Sequence, residues 1–474
     1  MRAVGMGAEN LALPHVLLVS FPGQGHVNPF LRLAKRLAAK GLLVTFSSTE
    51  ITGRRIASAT NNSPDPRDTV AVGRGHLRFE FYQDSWDPDD PHHKGLDALM
   101  AHLAEVGPPA LADLIRRSAD AGHPVWCVVN NPFIPWVLDV ATDMGIPCAV
   151  LWVQSCAVFS TYYHFQHSLA EFPSDVHPDV SVTLPGIPTL RPEDLPSFLL
   201  PSNPYRSLTD AILQQFQNLS KATWVLANTF EELESDAIKA ISELSPLIPV
   251  GPLVEADDGE ESHKAIRGDF FKAADCMEWL DAQDPLSVVY VSVGSVVILS
   301  QEEMEEMACG LKNIGRPFIW VVRDDCRNLL PENFIEETRE KGMVVGWSPQ
   351  DRVLAHGSVA CFVTHCGWNS TMEALTSGVP VVAFPQWGDQ LPDAKYLVDV
   401  YRVGVRLQAP AKREELERCV EEVTTGPEAE GMRKRAMVWR EAARKALAEG
   451  GSSDRNIQAF VDEIRRRAGS VGGV

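Results

Sequence analysis

Two widely separated clusters hold the residues able to do chemistry in this chain of 474 residues. One is Gly23-Gln24-Gly25-His26; the other runs from Trp347 to Gln390 as WSPQDRVLAHGSVACFVTHCGWNSTMEALTSGVPVVAFPQWGDQ. Trp347 follows a strand-like apolar run. An indole there can stack on a flat base, a contact worth ~1–3 kcal/mol, although burial in the core is the commoner fate of a single tryptophan. Thr364-His365-Cys366-Gly367-Trp368-Asn369-Ser370 ends a strand, turns at a glycine and starts a helix. Free backbone N–H groups and the positive end of the helix dipole suit a diphosphate there, and His365, Asn369 and Ser370 add side-chain donors. Ser370-x-x-Glu373 also fits a capping box, the reading that the sequence alone favours. As a cap Glu373 folds back onto the helix start; as a ligand group it accepts from two ribose hydroxyls. Trp387-Gly388-Asp389-Gln390 pairs an acceptor with an amide, a grip for sugar hydroxyls, or else forms a polar turn. In order, these parts could hold a base, a ribose, a diphosphate and a sugar.

His26 stands just before Asn28-Pro29, which the N-cap preference of Asn and the first-turn preference of Pro mark as a helix start. A ring beside a positive helix end stays neutral and can take a proton near neutral pH. A loop histidine with a purely structural role is the alternative. Gly23-x-Gly25-x-x-Asn28 with Glu50 imitates a dinucleotide fingerprint, but the third glycine is missing and the acid lies late, which argues against an oxidoreductase. Asp87-Pro88-Asp89 with His92-His93 has no paired-ligand spacing and reads as a hydrated acidic loop, not a metal site. His123 and His356 carry no local signature.

These residues need a scaffold, and the bulk numbers bound it. The chain is too long for one hydrophobic core, so two domains are expected. The net charge of −20 disfavours nucleic acid and anionic membranes. No apolar run approaches the roughly 20 residues of a membrane span, and the first residues, with Glu9 and Pro14, do not read as a signal peptide. The nine cysteines are scattered without CxxC pairs, which points to reduced thiols and a cytosolic location. Short apolar runs alternate with helical patterns: strands are expected at His15–Phe21, Leu42–Ser47, Val125–Val129, Pro147–Trp152 and Thr223–Asn228. A second set is expected at Val288–Val293, Phe318–Val322, Met343–Gly346, Ala360–Thr364 and Val379–Phe384. Such alternation implies parallel sheets with helices on both faces, and two of them in tandem face each other across a cleft. The boundaries expected are 1–250 for a first domain, 251–275 for a linker and 276–474 for a second domain. A monomer is the plainest expectation.

The chain resembles the plant family 1 UDP-dependent glycosyltransferases. The matching residues are W-x-P-Q at 347–350, H-C-G-W-N-S at 365–370, Glu373, G-V-P at 378–380 and P-x-W-x-D-Q at 385–390. G-Q-G-H-x-N-P at 23–29, CMEWLDAQ at 276–283 and VVYVSVGS at 288–295 extend the resemblance to nearly the whole length. It implies an α/β fold of the GT-B type, two doubly wound Rossmann-like domains, the first (1–250) binding the acceptor and the second (276–474) the UDP-sugar, with the terminal helix packing back on the first, and an inverting transfer with no metal or other cofactor. It implies that Trp347 stacks on uracil, that Ser348, Gln350 and Glu373 lie at the nucleoside, and that Ser295, His365, Gly367, Asn369 and Ser370 meet the diphosphate. Asp389 and Gln390 would hold the sugar, and Gln390 with Trp368 goes with glucose. His26 falls at the position of the catalytic base.

One departure matters. The family usually orients this histidine with an Asp, and Asn131 stands at that position here. An amide can hold the ring but cannot stabilise imidazolium as a carboxylate does. A phenol, pKa ~10, would be served poorly; a carboxylic acid, pKa ~4, arrives ionised and needs little base. Residues 130–160 also resemble the branch that makes glucose esters of hydroxycinnamates, gallate and indole-acetate. The expectation is therefore transfer of glucose from UDP-glucose to a small aromatic acid, with Gln154 and Ser155 touching the sugar or the acceptor. The alternatives are a phenol or flavonoid acceptor, or an inactive nucleotide-sugar-binding protein. The loops at Phe81–His93 and Pro173–Pro201 would shape the acceptor pocket.

Overall fold

A computed structural model describes residues 13–60, 69–85, 95–255 and 268–471. The acidic segment with His92-His93, and much of the expected linker, lie outside the described residues.

Two sheets carry the molecule. The front lobe has β1 (His15–Val19), β2 (Leu43–Thr49), β3 (Val70–Val72), β4 (Gly75–Tyr82), β5 (Val125–Asn130), β6 (Cys148–Trp152), β7 (Trp224–Ala227) and β8 (Leu247–Pro249), in the order β3-β4-β2-β1-β5-β6-β7-β8. The rear lobe has β9 (Val288–Ser292), β10 (Phe318–Val321), β11 (Gly342–Val345), β12 (Val359–Thr364), β13 (Val381–Ala383) and β14 (Gly404–Arg406), in the order β11-β10-β9-β12-β13-β14. Every pairing is parallel except β3 with β4. The ten expected strands agree with the observed ones to within two residues. The four missed, β3, β4, β8 and β14, lie at or next to sheet edges, where shorter or half-exposed strands give weaker patterns.

Alternation along the strands builds the core. Leu17 and Val19 of β1 face one apolar cluster while Val16 and Leu18 face another, and Val288 and Tyr290 of β9 part from Val289 and Val291 in the same way. Both faces of each sheet are therefore covered, as parallel sheets require. One cluster runs continuously from Leu17 and Val19 in the front lobe to Tyr290 and Phe362 in the rear lobe.

Five helices bear on the site: α1 (Gln24–Ala39), α2 (Cys156–Gln166), α3 (Trp368–Ser377), α4 (Gln390–Lys395) and α5 (Ser452–Val471). The last returns to the front lobe, where Phe460 packs edge-on to Trp224 at 5.2 Å. Helix α1 corrects the reading of Asn28-Pro29. It starts at Gln24 with Gly23 as N-cap, so Pro29 lies inside it and His26 in its first turn. A proline inside a helix removes one backbone bond, here the one that would have ended on the Gly25 carbonyl. That loss is made good from the other lobe.

Both sheets reverse their strand order at a central pair, β1 with β5 in front and β9 with β12 behind. Ligands of doubly wound sheets sit in the crevice at such reversals, beyond the carboxyl ends of the strands. His26 follows β1, Asn131 follows β5, Ser295 follows β9 and His365 follows β12. The topology thus brings together the two clusters that the sequence keeps far apart.

Candidate active site

Between the lobes lies a cleft with a cavity volume of about 340 Å³. Its lining includes His26, Gln154, Ser295, Trp347, Ser348, Gln350, His365, Gly367, Trp368, Asn369, Ser370, Glu373, Asp389 and Gln390. Of the sixteen residues singled out from the sequence, only Asn131 and Ser155 fall outside this lining.

Asn131 is fully buried behind His26. Its Oδ1 accepts from the Phe133 amide at 3.0 Å, and its Nδ2 lies 3.1 Å from His26 Nδ1. The imidazole is walled by Phe21 and Phe133, with ring centroids 5.1 and 4.4 Å away. Burial lowers its pKa to about 4. The ring is neutral across the physiological range.

Ser155 corrects an expectation. It does not reach the cleft: its Oγ accepts from the Val158 amide as N-cap of α2 and donates to Asp393 Oδ1 at 3.0 Å. Gln154, beside it, does line the cleft, as Asp389 does. Asp389 and Asp393 sit one turn apart near α4, and burial raises both above the usual carboxylate range. The loop before them is braced from the front lobe: Gly388 N donates to Ser197 Oγ at 2.7 Å, and Trp387 packs on Phe198 at 5.5 Å. Gln390 Oε1 accepts from the amides of Gln386 and Trp387, at 3.0 and 3.3 Å, which fixes the side chain against its own loop.

Glu373 is not a cap. Helix α3 is N-capped by Gly367, Ser370 is already inside it, and no side chain caps its start. Glu373 Oε1 instead accepts from Arg32 Nη2 of α1 at 3.0 Å, and Oε2 from Gln350 Nε2 at 2.8 Å. Gln350 Nε2 also donates to Ser370 Oγ at 2.9 Å, while its Oε1 accepts from the Tyr290 hydroxyl at 3.1 Å. Burial pushes the Glu373 pKa up and Arg32 pulls it down. Burial also acts against the charge on Arg32, but Glu373 and Glu255 outweigh it and hold the guanidinium above its ordinary value. Arg32 was missed in the sequence. The only signal was a charge set between Leu31 and Leu33 on an apolar helix face.

His365 is wedged between two glycines. A Cβ on Gly294 would stand 2.6 Å from its Nε2, and one on Gly367 would stand 2.5 Å away, so only glycine fits at either place. Burial lowers the His365 pKa to about 4, so it too is neutral. Trp347 is half-buried, with Phe271 tilted over it at 4.9 Å. Trp368 is almost wholly buried, and its indole N–H donates to the Asn228 carbonyl of the front lobe at 2.7 Å. Asn369 Nδ2 donates to the Gly25 carbonyl at 2.7 Å. The Ser348 hydroxyl is engaged by the Tyr290 hydroxyl at 2.8 Å. All nine cysteines are free thiols. Among the described residues no group of His, Cys, Asp or Glu is arranged to hold a metal ion, and no helix is long and apolar enough to cross a membrane.

Two family models match this chain, "Glycosyltransferase, N-terminal domain" over residues 14–253 and "UDP-glucoronosyl and UDP-glucosyl transferase" over residues 271–437. A gallate 1-beta-glucosyltransferase of Quercus robur is 52% identical over 480 residues, spanning 99% of this chain and 92% of that protein. The chain belongs to the plant family 1 UDP-dependent glycosyltransferases. A cinnamate beta-D-glucosyltransferase of Fragaria ananassa is 49% identical over 98% of this chain and 85% of that protein. The crystal structure of Os79 from O. sativa in complex with UDP superposes with a TM-score of 0.84 at 33% identity, covering 95% of this chain and all of that one. The fold is GT-B, and the chain is a UDP-glucosyltransferase of that architecture.

Proposed function

We propose that this enzyme transfers glucose from UDP-glucose, with inversion, to the carboxylate of a small aromatic acid, giving a 1-O-glucose ester. The observation that carries the reading is the Asn131 amide against His26 Nδ1, where a carboxylate would be needed to make the ring a strong base. An aromatic acid arrives without a proton to remove. Relatives named for gallate and cinnamate glucosylation lend the reading support from sequence.

The donor lies along the cleft. The uracil stacks on Trp347, the ribose hydroxyls donate to Glu373, and the diphosphate occupies the start of α3 beside Ser295, His365, Gly367 and Asn369. Asp389, Gln390 and Gln154 receive the glucose. No metal is assigned a role: the helix dipole and neutral donors take up the charge that develops on departing UDP. Arg32 is the only lysine or arginine among the described residues lining the cleft, and its paired carboxylates occupy it. The acceptor carboxylate therefore meets amides and imidazole, which leave its electron pair free to attack.

Incubation of the enzyme with UDP-glucose and a panel of aromatic acids and phenols tests this. A product that mild alkali cleaves to acid and glucose is expected. A product that survives alkali would assign the transfer to a phenol.

A further inference from the structure

We propose that His26 meets the acceptor as a hydrogen-bond donor rather than a base, because Asn131 fixes its neutral ring with the proton on Nε2, and that the site thereby selects acceptors that arrive ionised. This rests on the ester-forming reading above and assigns the role of its central residue.

The orientation of the Asn131 amide decides the matter. Oδ1 accepts from the Phe133 backbone N–H at 3.0 Å. Turning the amide over would set its NH2 against that N–H, donor against donor, in a fully buried position. The NH2 therefore faces His26 Nδ1, at 3.1 Å. An amide nitrogen has no lone pair to offer, so Nδ1 must accept. A neutral imidazole carries one proton, and that proton is left on Nε2. Phe21 and Phe133 wall the ring, and the ring lines the cleft while Asn131 stands behind it. Nε2–H is thus the group presented to the acceptor.

A carboxylate at Nδ1 does the reverse: it accepts from Nδ1–H and leaves the Nε2 lone pair free to take a proton. Here that tautomer, and the doubly protonated ring, would each set Nδ1–H against the amide NH2. Burial lowers the ring's pKa in the same sense. A neutral hydroxyl would have to part with its proton and finds no lone pair at Nε2. A carboxylate has none to lose. It accepts from Nε2–H, one of its oxygens forms a bond to the anomeric carbon, and the bond from that carbon to UDP breaks with its electron pair leaving on the phosphate oxygen. No proton changes hands at the acceptor.

Glutamine at position 26 can donate a hydrogen bond but cannot act as a base, so His26→Gln and His26→Ala separate the two roles. With an aromatic acid as acceptor, His26→Gln is expected to keep kcat within ~10-fold of wild type and His26→Ala to lose ~10²-fold, the order of loss when a reactant is no longer held in its attacking position. Asn131→Asp should move the ring proton to Nδ1, lower ester formation and bring in transfer to phenols that rises with pH. UDP binding by each variant controls for folding. In imidazole-15N-labelled protein, with His26→Gln to assign the signal, the neutral ring should show its proton on Nε2. Ester formation by wild type with equal loss in His26→Gln and His26→Ala, or a ring protonated at Nδ1, overturns the proposal and leaves the ester reading standing. Wild type that makes only alkali-stable products overturns both.

Discussion

The Asn369 amide nitrogen donates across 2.7 Å to the carbonyl of Gly25, the residue before His26. That carbonyl lies four residues ahead of Pro29 in α1, so its helical partner is a residue with no N–H. The rear lobe supplies the bond that the proline removes. A residue at the start of α3, placed where a diphosphate would sit, thus also fixes the turn that carries His26.

Removing it should therefore affect both substrates. In Asn369→Ala the solvent-exposed Gly25 carbonyl loses its donor, a change worth about 0.5–1.5 kcal/mol. Steady-state kinetics should show kcat/KM for UDP-glucose lower by roughly 2- to 13-fold at that cost, with kcat reduced as well as KM raised. Asn369→Asp should be worse, because a carboxylate would face both a carbonyl and a diphosphate. A change confined to the KM for UDP-glucose would mean that the Gly25 contact does not position His26.

Arg32 and Glu373 form a second bridge between the lobes, 3.0 Å long and buried at both ends. Taking away one member of a buried pair costs about 3–5 kcal/mol, because the other is left charged and unpaired. Arg32→Met should lower stability by that order in urea unfolding. It should also let Glu373 take up a proton, which turns one acceptor oxygen into a donor and weakens its grip on a pair of ribose hydroxyls. UDP should then bind hardly better than 2′,3′-dideoxy-UDP, whereas wild type should distinguish them clearly. The double variant with Glu373→Gln should recover most of the stability but not the discrimination. Retained discrimination in Arg32→Met would detach Arg32 from the donor site.

The sequence exposed the parts of this site that are local and concealed the parts that are not. Strand, glycine, helix start and acid–amide pair follow one another within Trp347–Gln390, and periodicity alone places most of the strands around them. Asn28-Pro29 misled because the same two residues suit a helix start, while the bond that lets Pro29 lie inside α1 comes from Asn369, far along the chain. Ser370 and Glu373 misled because capping-box spacing is common, and what draws Glu373 away is Arg32, invisible from its own neighbourhood. Ser155 carried a cue that could have been read, a serine at the head of the helical run Cys156–Gln166, where an N-cap is the ordinary role.

Trp347 offers a simpler measurement. Its indole lies at the end of β11 with Phe271 over it, and stacking of a base on an aromatic ring is worth ~1–3 kcal/mol. Trp347→Ala should weaken UDP binding by roughly 5- to 150-fold in calorimetry, with Trp347→Phe in between. The acceptor KM should hardly move if Trp347 serves the nucleoside alone. Unchanged UDP affinity in Trp347→Ala would remove the indole from the donor site.

Acid sensitivity can be traced to one buried histidine away from the cleft. His15, at the start of β1, is almost wholly buried, with Nδ1 at 2.9 Å from the His123 carbonyl and Nε2 at 2.7 Å from the Thr45 hydroxyl. The carbonyl can only accept, so Nδ1 carries the proton and Nε2 accepts from Thr45, whose oxygen in turn accepts from Arg78 Nε at 2.7 Å. Burial lowers the His15 pKa to about 3, opposed in part by the His123 carbonyl. In the unfolded chain the ring titrates near its ordinary 6.5. Between those values the unfolded state binds a proton that the folded state refuses, so stability is full above pH 6.5 and falls as the pH drops toward 3. The slope approaches ~1.4 kcal/mol per pH unit, or about 2 kcal/mol between pH 6.5 and 5. His15→Gln should remove that component: whatever it costs at pH 7.5, its stability relative to wild type should improve by about 2 kcal/mol at pH 5 in urea unfolding. Parallel losses in the two proteins between pH 7.5 and 5 would show that His15 takes up its proton without unfolding.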